Sequence, residues 1–206
     1  TKTFHYVAPS VWAWRPNRVN KIKKSTDHIF SIFPHEKPFF EKDGIETTFV
    51  GHPLANTIPL QSNMNKYRKV LKLNREELVI ALLPGSRMGE LKAHTDTLLE
   101  TAQSLLRVYP DAKFLIPATN DKNMNFIKGR INNNPSKNIK LIKGKVDEIL
   151  SSANIAIAAS GTASLQIALH KKPMIIIYKG SWISYFIWKM VRLIPNVSLP
   201  NILLNE

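Results

Sequence analysis

Apolar runs and amphipathic stretches alternate along the chain, and this alternation predicts a strand–helix–strand architecture. Two of the runs, Val79–Leu83 and Ile155–Ala159, are continuously apolar. Continuous apolar runs are typical of parallel strands that are covered on both faces of a sheet. The predicted strands are Phe4–Ala8, His28–Phe33, Thr47–Gly51, Leu78–Leu83, Lys113–Pro117, Ile139–Ile142, Asn154–Ala159 and Met174–Tyr178.

Helical periodicity fills the intervals between these strands. The clearest helix, Thr97–Tyr109, has an apolar stripe that includes Leu98 and Leu105. Because strands and helices alternate in this way, we predict an α/β fold made of Rossmann-like units with doubly wound parallel sheets. The other predicted helices are Asn17–Lys24, Glu36–Lys42, Met64–Leu73, Asn123–Ile131, Val146–Ser151 and Ala163–His170.

A domain boundary is expected at residues 52–64. This stretch contains Pro53 and Pro59 among short polar residues that favour turns, and it has no sustained period. It therefore predicts a linker between residues 1–51, the C-terminal part of a first Rossmann-like domain, and a nearly complete second domain at residues 65–206. Since Phe4–Ala8 already has the pattern of an interior strand, we expect the start of the first domain to be missing.

Composition narrows the function classes. The 206 residues include no cysteine, which excludes thiolate metal sites and cysteine nucleophiles. The net charge of +14 favours a polyanionic partner such as a phosphorylated substrate, an anionic membrane or nucleic acid, although a lysine-rich proteome would give the same surplus. The six histidines show no metal-binding spacing and no carboxylates cluster, so we expect neither a metal nor another cofactor.

The first candidate site follows the apolar strand Leu78–Leu83. In open α/β sheets, ligands bind beyond the carboxyl ends of the strands. Gly85 allows an unusual backbone conformation or a close approach, Ser86 offers a hydroxyl, and Arg87 offers a forked cation that suits phosphate. From the pattern alone, an ordinary strand–helix turn with a surface arginine is an equally good interpretation.

The second candidate site follows the apolar strand Asn154–Ala159. Ser160, Gly161 and Thr162 lead into a helix, whose free N-terminal amides suit an anion, and Gln166 lies one turn further on the same face. Simple capping of the helix explains the same residues. Two such loops on one sheet would converge on one crevice, which predicts a nucleotide-diphosphate pocket without the Walker or dinucleotide-binding glycine motifs.

Two aromatic segments suggest further contacts. The run Val11–Arg15 places Trp12 and Trp14 in a predicted loop before several cations, which suits base stacking, an acceptor-site loop or a domain interface. Residues 182–194 are aromatic with cations at one end, which suits either a membrane surface or packing on protein. No apolar run reaches the ~20 residues that a membrane span needs.

Five motifs, taken together and in order, resemble the lipid-A-disaccharide synthase family of inverting GT-B glycosyltransferases. They are Tyr6–Arg15 (YVAPSVWAWR), Phe49–Pro53 (FVGHP), Leu83–Arg87 (LPGSR) with Glu90, Ala159–Ala163 (ASGTA) and Val197–Asn201 (VSLPN). The resemblance covers essentially the whole chain. The PSVWAW and SLPN runs are quite specific, whereas the PGSR and SGT loops are shared with other nucleotide-sugar enzymes.

The resemblance implies a reaction at the cytoplasmic face of the inner membrane. UDP-2,3-diacylglucosamine would react with 2,3-diacylglucosamine 1-phosphate, without metal or nucleic acid, to give the β-1,6 disaccharide 1-phosphate and UDP. The chain would be peripheral on the anionic membrane, and a homodimer is an open option. The membrane-contacting residues would be Trp182, Phe186, Trp188, Lys189 and Arg192, and the acceptor or interface residues Ser10, Trp12, Trp14 and Arg15.

The resemblance also assigns a UDP site. Gly85, Ser86 and Arg87 would hold the diphosphate, with added donors from the SGT loop, and Asn201 would lie near the nucleotide. Gln166 stands where the family usually has a ribose-binding Glu. The catalytic base would belong to the missing N-terminal part. Alternatives are a peptidoglycan-precursor GlcNAc transferase, a UDP-GlcNAc 2-epimerase, or a basic nucleic-acid-binding protein.

Overall fold

The computed structural model describes residues 1–14, 16–133, 135–179 and 199–204. Strands β1 to β8 span Phe4–Tyr6, His28–Ser31, Glu46–Phe49, Val79–Leu83, Lys113–Ala118, Ile139–Lys143, Ile155–Ala159 and Met174–Ile177. Helices α1 to α10 span Val11–Trp14, Val19–Ser25, Glu36–Lys42, Leu54–Thr57, Met64–Val70, Met88–Val108, Asp121–Asn132, Val146–Ser152, Thr162–Leu169 and Leu199–Leu204. Each predicted strand is present, with bounds within two residues of the prediction.

Tertiary contacts divide the chain into two units. One boundary between them falls between Thr57 and Ile58, inside the predicted linker 52–64, and residues 201–204 are also grouped with the first unit. That linker is not wholly irregular, because α4 lies within it. The ring nitrogen Nδ1 of His52 accepts a hydrogen bond from the Leu54 amide at 3.1 Å and so satisfies a donor at the start of α4.

The first unit contains a parallel sheet in the order β1-β2-β3. Its core packs Val11, Val19, Ile29 and Phe40 against one another, each at most 5% exposed. The predicted loop at Val11–Arg15 is wrong over Val11–Trp14, which forms the helical turn α1. This turn is anchored because the side chain of Val11 is buried in the core.

The second unit contains a parallel sheet in the order β6-β5-β4-β7-β8. Strand β4 is central, and the chain adds strands first on one side of it and then, after the crossover to β7, on the other. The order of the strands therefore reverses between β4 and β7, which is where open α/β sheets form a ligand crevice. This sheet confirms the predicted α/β fold with parallel strands.

Helices cover both faces of this second sheet. Alternate residues of β4 point to opposite faces, so that Leu82 packs in a core with Leu91 and Leu98 of α6, while Ala81 packs in a second core with Ile167 of α9. Every residue of β4 is buried. The sequence pattern predicted this double burial because β4 is continuously apolar.

Helix α6 begins at Met88, so the predicted start at Thr97 is wrong. The buried face of its first turns includes His94 and Thr95, and these polar residues interrupt the apolar stripe in the sequence. His94 is satisfied inside the protein, since Nδ1 donates to the Glu90 carbonyl at 2.8 Å and Nε2 accepts from the Lys179 amide at 3.1 Å. Hydrophobic periodicity alone does not detect a buried residue of this kind.

Candidate functional site

A cavity of about 310 Å³ opens in the second unit where β4 and β7 end. Its walls come from the loops after β4, β5 and β7 and from the first turns of α6, α8 and α9. This position is the switch point of the sheet, and the volume lies at the lower end of the range for small-molecule sites, roughly 300–1,000 Å³. The predicted site residues that line it are Gly85, Ser86, Arg87, Ser160, Gly161, Thr162 and Gln166.

The β4–α6 loop presents the cationic side chain of Arg87, but two of its backbone amides already donate hydrogen bonds to Glu90. Oε2 of Glu90 accepts hydrogen bonds from the amides of Ser86 at 2.8 Å and Arg87 at 3.1 Å. Oε1 of Glu90 accepts one from Nη1 of Arg87 at 3.1 Å, although the Arg87 side chain remains 84% exposed. An anion in this crevice could therefore contact the exposed Arg87 guanidinium directly. It could accept hydrogen bonds from the Ser86 and Arg87 amides only if the Glu90 carboxylate moved away.

The same carboxylate explains why residue 85 is glycine. Gly85 has a φ of +112°, which side-chain-bearing residues rarely adopt. A Cβ on Gly85 would lie 2.5 Å from Cβ and 2.5 Å from Oε2 of Glu90. The close approach that we predicted at Gly85 is thus made by the chain's own Glu90.

Glu90 is held in its charged form. Partial burial favours the neutral acid, but the hydrogen bonds from the Arg87 and Ser86 amides and the Arg87 guanidinium outweigh it, so the pKa of Glu90 is lowered from 4.5. The carboxylate also lies in the first turn of α6, where a negative charge is favourable. Glu90 is therefore an internal anion at the mouth of the crevice.

Asn123 supports this loop, and the sequence analysis did not single it out. It is 4% exposed, and its Nδ2 donates to the Ser86 carbonyl at 2.8 Å and to Oγ1 of Thr119 at 2.6 Å. The sequence pattern does not distinguish Asn123, because Asn residues near helix starts usually act as caps, as Asn120 does here. Asn123 instead joins the loop after β5 to the loop after β4.

The β7–α9 loop leads into the N-terminus of α9 at the cavity. Gly161 has a φ of +155° and is the N-cap residue of α9, so the cap position itself has no side chain that could bond to the helix amides. The hydroxyl of Ser164 donates to the Gly161 carbonyl at 2.7 Å, while the amide of Ser160 donates to Ile177 in the sheet. The amide of Ser164 also donates to the Gly161 carbonyl, at 3.1 Å, so the first-turn amides of α9 that suit an anion are those of Thr162 and Ala163.

Gln166 lies one turn into α9 and lines the same cavity. Its Nε2 donates to Oδ1 of Asp147, in the first turn of α8, at 2.7 Å. The sequence analysis missed Asp147, because only the fold brings α8 next to α9. No local motif marks this pair.

The described part of the chain contains neither a candidate metal cluster nor a helix that could span a membrane. Among residues 1–14, 16–133, 135–179 and 199–204, no group of three or more histidines and acidic residues could hold a metal ion. None of the described helices combines the length and apolarity that crossing a membrane requires.

Sequence comparison identifies the family. The chain matches the family described as Lipid-A-disaccharide synthetase along residues 1–206. It belongs to this family. A lipid-A-disaccharide synthase from Dechloromonas aromatica (strain RCB) is 41% identical, and the match covers 98% of this chain and 54% of that protein. One from Albidiferax ferrireducens is 38% identical, covering 100% and 53%. The chain thus spans about half the length of these synthases.

Solved structures share the fold of this family member. A Staphylococcus aureus MnaA–UDP co-structure superposes with a TM-score of 0.55 at 12% identity, covering 90% of this chain and 51% of that one. Anabaena Alr3699/HepE in complex with UDP and glucose gives 0.51 at 11% identity, covering 85% and 52%. At these identities the likeness concerns the fold alone, and it agrees with the GT-B-like α/β class predicted from the sequence.

The family's tryptophan motif lies in the first unit. Nε1 of Trp12 donates to Oε1 of Glu36 at 3.3 Å, and the ring meets His35 edge-on at 4.4 Å between centroids. Burial raises the pKa of Glu36, although hydrogen bonds from the Phe33 amide, Trp12 and the Ile32 amide oppose the rise. Since the half-buried Trp12 indole is joined to a buried carboxylate, this contact favours a structural role over base stacking.

Three further predicted site residues, Ser10, Trp14 and Asn201, belong to the first unit. Ser10 is exposed just before α1, and the backbone of Trp14 ends that helix. Asn201 lies in α10, in the part of that helix grouped with the first unit. The other predictions fall outside the described residues and stay predictions; they concern Arg15, Trp182, Phe186, Trp188, Lys189 and Arg192.

Proposed function

We propose that this chain carries the UDP-sugar-binding part of a lipid-A-disaccharide synthase. In the proposed reaction, 2,3-diacylglucosamine passes from UDP-2,3-diacylglucosamine to 2,3-diacylglucosamine 1-phosphate, and the products are the β-1,6 disaccharide 1-phosphate and UDP. Family membership supports the reaction. The single observation that supports UDP binding in the second unit is the cavity that the two strand-end loops share at the switch point.

The diphosphate of UDP would lie between Arg87 and the first turn of α9. Arg87 is always charged and can bond two phosphate oxygens at once, which suits a diphosphate. The amides of Thr162 and Ala163, in the first turn of α9, would add donors at the positive end of a helix. Neither group needs a metal ion, so the proposal includes no metal and no other cofactor.

The same two groups would assist bond cleavage. When the bond between the sugar and the diphosphate breaks, UDP leaves with the bonding electrons and gains negative charge. Arg87 and the α9 amides would stabilise that charge more strongly in the transition state than in the bound substrate. The acceptor hydroxyl attacks the sugar and loses its proton to a base, and we assign no described residue to that role.

The fold does not by itself separate a synthase from an epimerase. A UDP-GlcNAc 2-epimerase from Neisseria meningitidis bound to UDP-GlcNAc superposes with a TM-score of 0.50 at 15% identity, covering 87% of this chain and 51% of that one. The sequence match to the synthetase family, which covers residues 1–206, favours the synthase. The half-buried hydrogen bond of Trp12 to Glu36 favours a structural role for Trp12 over the base stacking of the nucleic-acid alternative.

The location of the proposed reaction follows from its substrates. Both carry acyl chains and phosphate, so they reside at a membrane surface, and a chain with net charge +14 is attracted to anionic headgroups. The proposal includes peripheral association with the cytoplasmic face of the inner membrane through residues 182–194. It is compatible with a homodimer. These parts rest on sequence alone.

An activity assay with both lipid substrates tests the proposal. The complete gene product, in buffer with EDTA, should release UDP and form disaccharide 1-phosphate in equal amounts, and UDP release should require the acceptor. Conversion of UDP-GlcNAc to its 2-epimer, without disaccharide formation, would instead assign the chain to the epimerase alternative. Absence of UDP release from any UDP-sugar tested would contradict the assignment.

A further inference from the structure

A chain of polar contacts runs from the interior of the second unit to the rim of the cavity. Oδ1 of Asp147 accepts hydrogen bonds from Nε2 of Gln166 at 2.7 Å and from Nε2 of His170 at 2.9 Å. On its far side, Nδ1 of His170 meets the hydroxyl of Ser151 at 3.3 Å. His170 is 1% exposed at its side chain, whereas Asp147 is 57% exposed.

The chemistry of these groups fixes their orientation. A carboxylate has only acceptor oxygens, so Asp147 requires the N–H groups of Gln166 and His170 to point at it. The Gln166 amide consequently cannot reverse without turning its oxygen against the carboxylate. Gln166 lines the cavity, so its Oε1 is the amide group left to act as an acceptor for a ligand.

The spacing along α9 indicates which part of a nucleotide this acceptor meets. Gln166 lies four residues after Thr162, which is about 6 Å along the helix axis. In UDP the ribose follows the diphosphate by a single methylene group. If the diphosphate binds at the first turn of α9, the ribose hydroxyls, which are donors, come within reach of Gln166.

We propose that Asp147 is a positioning residue for ribose recognition, acting through Gln166. The inference rests on the proposed binding of UDP in this cavity and deepens it. Asp147 holds the Gln166 amide so that Oε1 accepts from a ribose hydroxyl, and His170, buried beneath, holds Asp147. Recognition of the ribose therefore depends on a carboxylate–amide pair from two helices rather than on one residue.

This pair makes the residue at position 166 dependent on the residue at position 147. A carboxylate introduced by Gln166→Glu would face the carboxylate of Asp147 at hydrogen-bond distance, and two adjacent carboxylates cannot both remain charged without a cost. The swap Asp147→Asn with Gln166→Glu restores one carboxylate and one amide in exchanged positions. It therefore restores the hydrogen bond and leaves an acceptor oxygen towards the ribose.

Affinities for UDP, 2′-deoxy-UDP and 3′-deoxy-UDP test the proposal. Calorimetric titrations of the complete gene product in EDTA should show at least tenfold weaker binding of one deoxy analogue, and this preference should fall below about threefold in Asp147→Ala. Gln166→Glu should weaken UDP binding at least tenfold, and the double swap should return it to within threefold of wild type. Glu148→Gln, an equal charge change in the same helical turn, is the matched control and should keep the preference.

The outcomes separate this inference from the proposed function. If wild type does not bind UDP, the proposed function fails with it. If UDP binds but Asp147→Ala keeps the full preference for the ribose hydroxyl, or the double swap binds no better than Gln166→Glu, the role of Asp147 is overturned while UDP binding stands. Because the double swap preserves the charge and hydrogen bonding of the pair, it answers the question even if Asp147→Ala fails to fold.

Discussion

Two of the loops that line the cavity, β4–α6 and β7–α9, leave adjacent strands of one sheet, yet they are built in opposite ways. The β4–α6 loop occupies its backbone amides with Glu90 and presents the exposed guanidinium of Arg87. The β7–α9 loop has no charged side chain in its Ser160–Thr162 turn, and its N-cap residue, Gly161, has no side chain that could cap α9. One loop thus offers an exposed cation on a long side chain, and the other offers backbone dipoles.

Because of this difference, we expect the two loops to contribute to diphosphate binding in different ways. Fixed amides define where a phosphate sits, because their positions depend on the backbone rather than on a flexible side chain. A long cationic side chain adds charge and can follow the leaving group as it moves. We therefore expect changes in the two loops to affect turnover and ground-state binding to different degrees.

The largest effect is expected from Arg87→Ala. Turnover in the complete gene product should lose ~2–4 kcal/mol of transition-state stabilisation, by analogy with lost oxyanion donors. Arg87→Lys should recover only part, because a point charge cannot bond two oxygens in the same way. The measurement is kcat/KM together with the melting temperature.

Arg107→Ala is the matched control for Arg87→Ala. It removes the same side chain from the last turn of the same helix, α6, about 30 Å away. Its kcat/KM should stay within twofold of wild type. Near-normal turnover in Arg87→Ala, with unchanged melting, would make the β4–α6 loop a structural turn.

The second effect is expected from Gly161→Ala. Nothing lies within 4 Å of a Cβ at Gly161, so the change acts through the φ of +155° and not through a clash. Such backbone strain costs ~1–3 kcal/mol or shifts the amides that follow. UDP affinity should fall about tenfold, which corresponds to ~1.4 kcal/mol.

Gly129→Ala provides the control for the glycine change. Gly129 lies inside α7 with open space around its Cβ position, so alanine there should raise the unfolding free energy by ~0.5–1 kcal/mol. UDP affinity should not change. Equal UDP affinities for Gly161→Ala and wild type would show that the amides of α9 do not hold the diphosphate.

The smallest effect on binding is expected from Glu90→Gln, and it carries a pH signature. The pKa of Glu90 is lowered in the folded protein, so its stabilising effect is complete above the ordinary value of 4.5 and is lost as the pH falls through the lower folded value. The unfolding free energy of Glu90→Gln should therefore be lower than that of wild type by ~1 kcal/mol at neutral pH. The difference should shrink below pH 4.5.

UDP binding completes the test of Glu90. Removing a negative charge from the mouth of the crevice should raise UDP affinity by about two- to threefold, since exposed charges interact weakly in water. Glu100→Gln, on an exposed part of the same helix, should change neither quantity. A tenfold loss of UDP affinity in Glu90→Gln would mean that Glu90 orients Arg87 for the ligand. Glu90 would then contribute to diphosphate binding and not only to the stability of the loop.

The sequence predicts most of the fold because burial on both faces leaves continuous apolar runs such as β4. It also places both loops at strand ends, because parallel strands point their carboxyl ends to one edge. It does not predict the buried guanidinium of Arg68, which donates to the carbonyls of Ser152, Asn74 and Arg75. In the sequence, Arg68 looks like any other cation on a surface helix.

The details of the site escape the sequence for a similar reason. The local pattern suggests Gly85 as a point of ligand approach, but the structure shows that Glu90 fills that space. Asp147 and Asn123 acquire their contacts from elements distant in sequence, so no periodicity or motif marks them. Tertiary hydrogen bonds between polar residues are the part of a site that needs the folded structure.

The most direct test of this division of work is a phosphate-increment titration. Uridine and UDP are titrated in EDTA into wild type, Arg87→Ala and Arg107→Ala. The gain in affinity from uridine to UDP should fall ~10–100-fold in Arg87→Ala, the worth of a hydrogen bond to a charged group, while uridine affinity and Arg107→Ala stay as in wild type. An unchanged gain in Arg87→Ala would contradict the claim that Arg87 holds the diphosphate.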